Sequence, residues 1–136
     1  MVYLDANVFV FAALATDELG EASRRILAAL DGINAKTCSL TFDELAWAAL
    51  RKVDMMTTVK VCRAILGVKG LDIVSVDFGD VWKMTENMER FGLKPRDAIH
   101  LAVMQRLGER IIVSENGHFD TAEVKRIPIM DFASSI

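Results

Sequence analysis

The sequence predicts an α/β domain, a three-layer α/β/α sandwich around a central, mostly parallel sheet. Short apolar runs such as MVYL, IIV and IPIM alternate with longer stretches of helical periodicity along the whole chain, the pattern of successive β-α-β units. A hydrophobic content of 52% and a mean hydropathy of +0.28 lie slightly above the usual range. Such values fit a sheet buried on both faces or an apolar oligomer interface. At 136 residues the chain is read as a single domain over 1–136, without repeat, low-complexity tract or linker.

Residues 1–6, MVYLDA, form a short apolar run that reads as a central first strand, with Asp5 and Asn7 at its C-terminal end. The following VFVFAALA has the length and alanine content of a helix. TDELG at 16–20 interrupts the pattern, and a second helix is expected over 21–30, with Ile26, Leu27 and Leu30 on one face. Residues 35–40 are the second strand. Thr41 then opens T-F-D-E, the Thr-to-Glu spacing of a capping box, and the helix it heads runs to Arg51-Lys52. A further helix is expected over 54–66, a strand over 71–76, and an amphipathic helix over 77–90 with Trp82 covering the core.

The best-marked helix comes next. Pro95 stands where a first helical residue needs no N–H, and Gly108 where a C-cap needs positive φ. Between them Ile99, Leu101, Ala102, Val103 and Leu107 call for burial. Ile111-Ile112-Val113 follows as a buried parallel strand that ends in Ser114-Glu115-Asn116-Gly117. A last strand is expected over 127–130, where Pro128 marks an edge.

The net charge of −3, from 19 acidic and 16 basic residues, gives no basic footprint for passive nucleic-acid binding. It counts less against an enzyme whose acids are neutralised by metal ions. Cys38 and Cys62 fit no metal or redox spacing and read as buried thiols. With His100 and His118 the only histidines, a His-rich zinc site is excluded. No run approaches the ~20 apolar residues of a spanning helix. No basic segment precedes the first strand, so a cytoplasmic location without membrane association is expected.

Three acids carry the chemistry. Asp5 ends the first strand, Glu44 and Asp97 head two apolar helices, and Asn116 follows the fourth strand. Parallel sheets bind ligands at these strand ends. Taken singly, Asp97 is equally a complement to a helix dipole, and Glu44 the closing member of a capping box. Together, converging carboxylates repel one another unless cations join them. Mg²⁺ or Mn²⁺, hard ions that take oxygen ligands and keep waters, are the natural partners. Such ions activate water and stabilise a leaving oxygen in phosphodiester cleavage. His100, on an apolar helix, reads as a structural histidine bonded to a carboxylate or backbone rather than a general base. His118 reads as a surface residue. Lys94, Arg96, Arg51 and Lys52 are candidates for phosphate contacts.

YLDANVF, SLTFDEL and LKPRDAIHLAV…RIIVSENGHFD, in that order, resemble the PIN domains, small metal-dependent ribonuclease domains that include the VapC toxins of toxin–antitoxin pairs. The resemblance implies that Asp5, Glu44 and Asp97 hold Mg²⁺ or Mn²⁺ and that Asn7 is a polar neighbour of Asp5. It implies that Ser114 supports Asp5 or a metal water. It further implies an RNA substrate and an antitoxin that blocks the site with an inserted Arg, while a homodimer formed through an apolar helical face fits the composition. The family often carries a fourth acid where this chain has Asn116, and Asp120 is the acid available to replace it if its loop turns inward. Two other readings stand beside the nuclease. One is a haloacid-dehalogenase-type phosphatase with Asp5 as nucleophile, which Asn7 disfavours because that family has a second Asp there. The other is a PIN-like module that binds RNA or protein without cutting.

Overall fold

Five strands, all parallel, form one sheet in the order β3-β2-β1-β4-β5, as a computed structural model covering Met1–Ile136 describes them. They are β1 (Val2–Leu4), β2 (Ala35–Cys38), β3 (Leu71–Val74), β4 (Ile111–Val113) and β5 (Lys125–Ile127). Seven helices connect and follow them: α1 (Ala6–Leu14), α2 (Glu18–Ala28), α3 (Leu40–Leu50), α4 (Met55–Leu66), α5 (Phe78–Phe91), α6 (Pro95–Leu107) and α7 (Ile129–Ser134). The expected α/β/α sandwich is therefore the observed one. No helix is long and apolar enough to cross a membrane.

The two-residue period of β1 sorts the layers. Val2 and Leu4 point to one face, where they pack with Val8, Phe9, Ile26, Leu45, Ile65 and Phe132 from α1, α2, α3, α4 and α7. Tyr3 points to the other face and joins Cys38, Ile112 and the α6 residues Val103 and Met104. α5 covers the outer side of α6, over Leu93, Ala98 and Leu101. The sheet order reverses direction beside β1, and the connections run away from it on either side. That switch point opens a crevice at the C-terminal strand ends.

The sequence marked α6 most faithfully. It begins at Pro95 and stops at Gly108, whose φ is +73°. Elsewhere local chemistry moved the boundaries. α2 starts at Glu18, because Asp17 is its N-cap and accepts from Gly20 N–H at 3.2 Å. The supposed break at 16–20 is thus a cap and a first turn. Gly20 is required there, since a Cβ would lie 2.2 Å from the Ala15 carbonyl oxygen.

The expected capping box at Thr41 does not form. α3 begins at Leu40 behind Ser39, the Thr41 hydroxyl pairs with Thr37 Oγ1 at 2.7 Å, and Glu44 falls in the second turn. A capping box forms instead at α5, between Asp77 and Asp80. Arg51 and Lys52 lie beyond α3. Trp82 does not cover the core; it is 65% exposed. The last strand ends at Ile127, and Pro128 initiates α7 rather than occupying the edge strand, which is β5 as expected.

Candidate metal centre

Asp5 follows β1 directly, so it continues the alternation of Tyr3 and faces the α6 layer. It is also the N-cap of α1, and its Oδ1 accepts from Ala6 N–H at 2.8 Å. Its other oxygen accepts from the Ser114 hydroxyl at 2.6 Å, at the end of the neighbouring strand β4. Ser114 Oγ in turn accepts from Asn7 Nδ2 at 3.2 Å and from Asn116 N–H at 2.9 Å. Ser114 is fully buried and Asp5 only 4% exposed. The expected support of Asp5 by Ser114 is present.

His100 lies one turn after Asp97 on the sheet-facing side of α6 and is fully buried. Its Nδ1 is 2.6 Å from the Tyr3 hydroxyl and 3.5 Å from Cys38 Sγ. Its Nε2 is 3.1 Å from Glu44 Oε1 and 3.9 Å from Asp5 Oδ1. The ring therefore bridges the sheet to two carboxylates, which agrees with a structural histidine bonded to a carboxylate. From sequence, Tyr3 carries no marker and Cys38 reads only as a buried thiol. The available signal was Tyr3 two residues before Asp5, on the same strand face.

Side-chain oxygen and nitrogen atoms of Asp5, Glu44 and His100 converge to within 4.8 Å of one another. Asp97 stands at the rim of this group. Its Oδ2 accepts from Asn116 Nδ2 at 2.9 Å and lies 3.9 Å from His118 Nδ1. His118 is thus an exposed residue at the rim of the site rather than a remote one. Asp120 turns outward and pairs with Arg126 through Nε at 2.9 Å, so it does not replace Asn116. Arg96 reaches Asp43 at 3.6 Å across the rim, and both are exposed.

Burial dominates the electrostatics of the two acids. Burial pushes the Asp5 carboxyl above its ordinary range; His100 and the Ser114 hydroxyl pull it back, and Glu44 pushes it up again. Burial likewise raises Asp97; the Asn116 amide opposes this, while Asp5 adds to it. For His100, burial favours the neutral ring, but Tyr3, Cys38, Glu44 and Asp5 around it outweigh that and raise it well above an ordinary histidine.

A divalent cation fits this donor set. The ligands it offers are the hard carboxylate oxygens of Asp5 and Glu44, since His100 Nε2–H donates to Glu44 and has no lone pair free, and Asn7 Oδ1, beside Asp5, is the one buried side-chain polar atom without a hydrogen-bond partner.

A family model described as PIN domain matches residues 2–125. Among solved structures, VapC20 of Mycobacterium tuberculosis, a sarcin-ricin-loop-cleaving toxin, is similar with a TM-score of 0.76 at 18% identity, over 91% of this chain and 98% of that one. VapBC2 from Rickettsia felis, bound to a fragment of its promoter DNA, gives 0.72 at 16% identity, over 94% and 98%. FitAcB from Neisseria gonorrhoeae gives 0.70 at 14% identity, over 96% and 99%. At these identities the likeness is one of fold. No curated protein matches this chain.

Proposed function

Because this chain belongs to the PIN-domain family, we propose that it is a metal-dependent endoribonuclease and the toxin of a VapBC-type toxin–antitoxin pair. The observation that carries the reading is the convergence of Asp5, Glu44 and His100 within 4.8 Å at the switch point of the sheet, with Asp97 at its rim. Asp5, Glu44 and Asp97 would hold Mg²⁺ or Mn²⁺. When bound, such an ion polarises a phosphoryl oxygen and lowers the pKa of water.

The chain supplies the rest. Ser114 and the Ala6 N–H hold both Asp5 oxygens in fixed directions. His100 fixes Glu44, whose place in the second turn of α3 brings it under α6. Lys94 and Arg96, which with Pro95 and Asp97 line a shallow depression, hold backbone phosphates. Water adds to phosphorus, the P–O3′ bond breaks, and O3′ takes up the proton. The products carry a 5′-phosphate and a 3′-hydroxyl.

A small antitoxin that inserts an Arg among the carboxylates would block the site. The VapBC2 and Klebsiella pneumoniae toxin–antitoxin complexes, similar in fold, support an antitoxin partner. Homodimerisation through an apolar helical face is supported by Trp47, Met55 and Met56 around α3 and α4, all exposed. Membership of the PIN family displaces the phosphatase alternative. The non-cleaving module keeps one favourable observation, the uncharged Asn116 against Asp97.

The test is cleavage of a mixed single-stranded RNA pool with Mn²⁺ or Mg²⁺, beside EDTA and Asp5→Asn controls. Cutting that requires both the metal and Asp5 supports the nuclease. Silence of the folded, antitoxin-free protein across RNAs and metals refutes it.

A further inference from the structure

Asn116 joins Ser114 and Asp97 in one network, and the direction of its amide is fixed. The backbone N–H of His118 donates to Asn116 Oδ1 at 3.0 Å. A main-chain N–H can only donate, so the amide oxygen must face the loop and the NH₂ must face Asp97. That NH₂ donates to Asp97 Oδ2 at 2.9 Å. The Asn116 backbone N–H is itself tied to Ser114 Oγ at 2.9 Å, the same hydroxyl that holds Asp5. Turning the amide over would break the His118 bond and set a carbonyl oxygen against a carboxylate. An NH₂ group has no lone pair to offer a cation. His118 adds its ring on the same side, with Nδ1 3.9 Å from that Asp97 oxygen.

The converging groups are Asp5 and Glu44, with His100 bonded to Glu44, and Asp97 is not among them. A pair of catalytic ions ~3.5–4 Å apart would need oxygen ligands on both flanks. Here one flank of Asp97 is closed by a hydrogen-bond donor.

We infer that this site takes one divalent cation rather than two, because the Asn116 amide, locked by the His118 backbone, occupies the Asp97 flank that a second cation would use. The inference rests on the metal-dependent reading above and names its stoichiometry. The two flanks of the site then differ: a cation serves one, and Asn116 and His118 serve the other.

The test is Mn²⁺ titration of the full chain by calorimetry, with bound ions counted by electron paramagnetic resonance, for wild type and Asn116→Asp. The substituted carboxylate still accepts from the His118 N–H, so the loop keeps its anchor, and circular dichroism checks the fold. The expected counts are one ion in wild type and two in Asn116→Asp. Two ions in wild type, or one in a folded Asn116→Asp, overturn the inference and leave the nuclease reading standing. No ion in wild type overturns the metal-dependent reading itself, and the inference with it. If Asn116→Asp does not fold, the wild-type count decides alone, together with the presence or absence of a spin-coupled Mn²⁺ pair signal.

Discussion

Ser114→Ala is the perturbation whose cost follows most directly from the geometry. Its hydroxyl makes three contacts in a fully buried position: it donates to Asp5 at 2.6 Å and accepts from Asn7 Nδ2 at 3.2 Å and Asn116 N–H at 2.9 Å. A hydrogen bond to a carboxylate contributes about 1.5–3 kcal/mol, and a buried donor left without an acceptor costs about 1–3 kcal/mol. Asn7 Nδ2 and the Asn116 N–H, both on half-buried residues, lose their acceptor, and one such loss is counted. The combined loss is about 2.5–6 kcal/mol, a large part of the roughly 5–15 kcal/mol of a typical domain.

With about 2.1 cal/mol/K of unfolding entropy per residue over 136 residues, the expected fall in Tm is about 9–21 °C. Circular dichroism melts of metal-free protein read it directly. A double-mutant cycle with Asp5→Asn assigns the share that passes through Asp5, expected to exceed about 1 kcal/mol. A folded Ser114→Ala variant melting within about 3 °C of wild type refutes the claim that this hydroxyl holds the site together.

Mn²⁺ at a hundredfold excess over its Kd should stabilise wild type by about 2.7 kcal/mol, reversibly with EDTA, and leave Asp5→Asn unmoved in the same thermal-shift assay. Burial alone would raise Asp80, but the Arg106 hydrogen bonds at 2.9 Å and the Asp77 backbone outweigh it and hold the carboxyl low. Its stabilisation is therefore complete above the unfolded-state pKa of about 3.9 and lost as pH falls further. Asp80→Asn should flatten the acid limb of a denaturant-monitored stability profile below that pH. Gly70 has φ +82°, and a Cβ there would lie 2.2 Å from the Leu30 carbonyl oxygen. Gly70→Ala should cost at least about 2 kcal/mol in urea unfolding.

What could be read from sequence depended on whether a residue's partner was local. Pro95 and Gly108 delimit α6 because their backbone restrictions act within one or two residues. Tyr3 and Asp5 share a face because a strand alternates whatever surrounds it. Thr41 misled because its hydroxyl met Thr37, four residues back in the chain and across a strand end, and so was unavailable to cap. Trp82 misled because an amphipathic pattern does not say whether its apolar side meets the core or stays open. The link from Glu44 to His100 spans 56 residues and has no local signature at all. Asp17 and Pro128 were legible in principle as helix-start residues, but Gly20 and the apolar IPIM run argued for other structures.

The parallel topology also governs when the site comes into being. β1 pairs with β2 on one side and with β4 on the other, so the strand that carries Asp5 is completed only by residues about a hundred positions later. Every strand pair needs a crossover, with no hairpin to give early local closure. Such non-local contacts make folding slow. A chain emerging from the ribosome has Asp5 and Glu44 outside long before Ser114, which anchors Asp5, and Asn116, which anchors Asp97. Nascent fragments therefore lack these anchors, and the cluster assembles only once translation has passed β4.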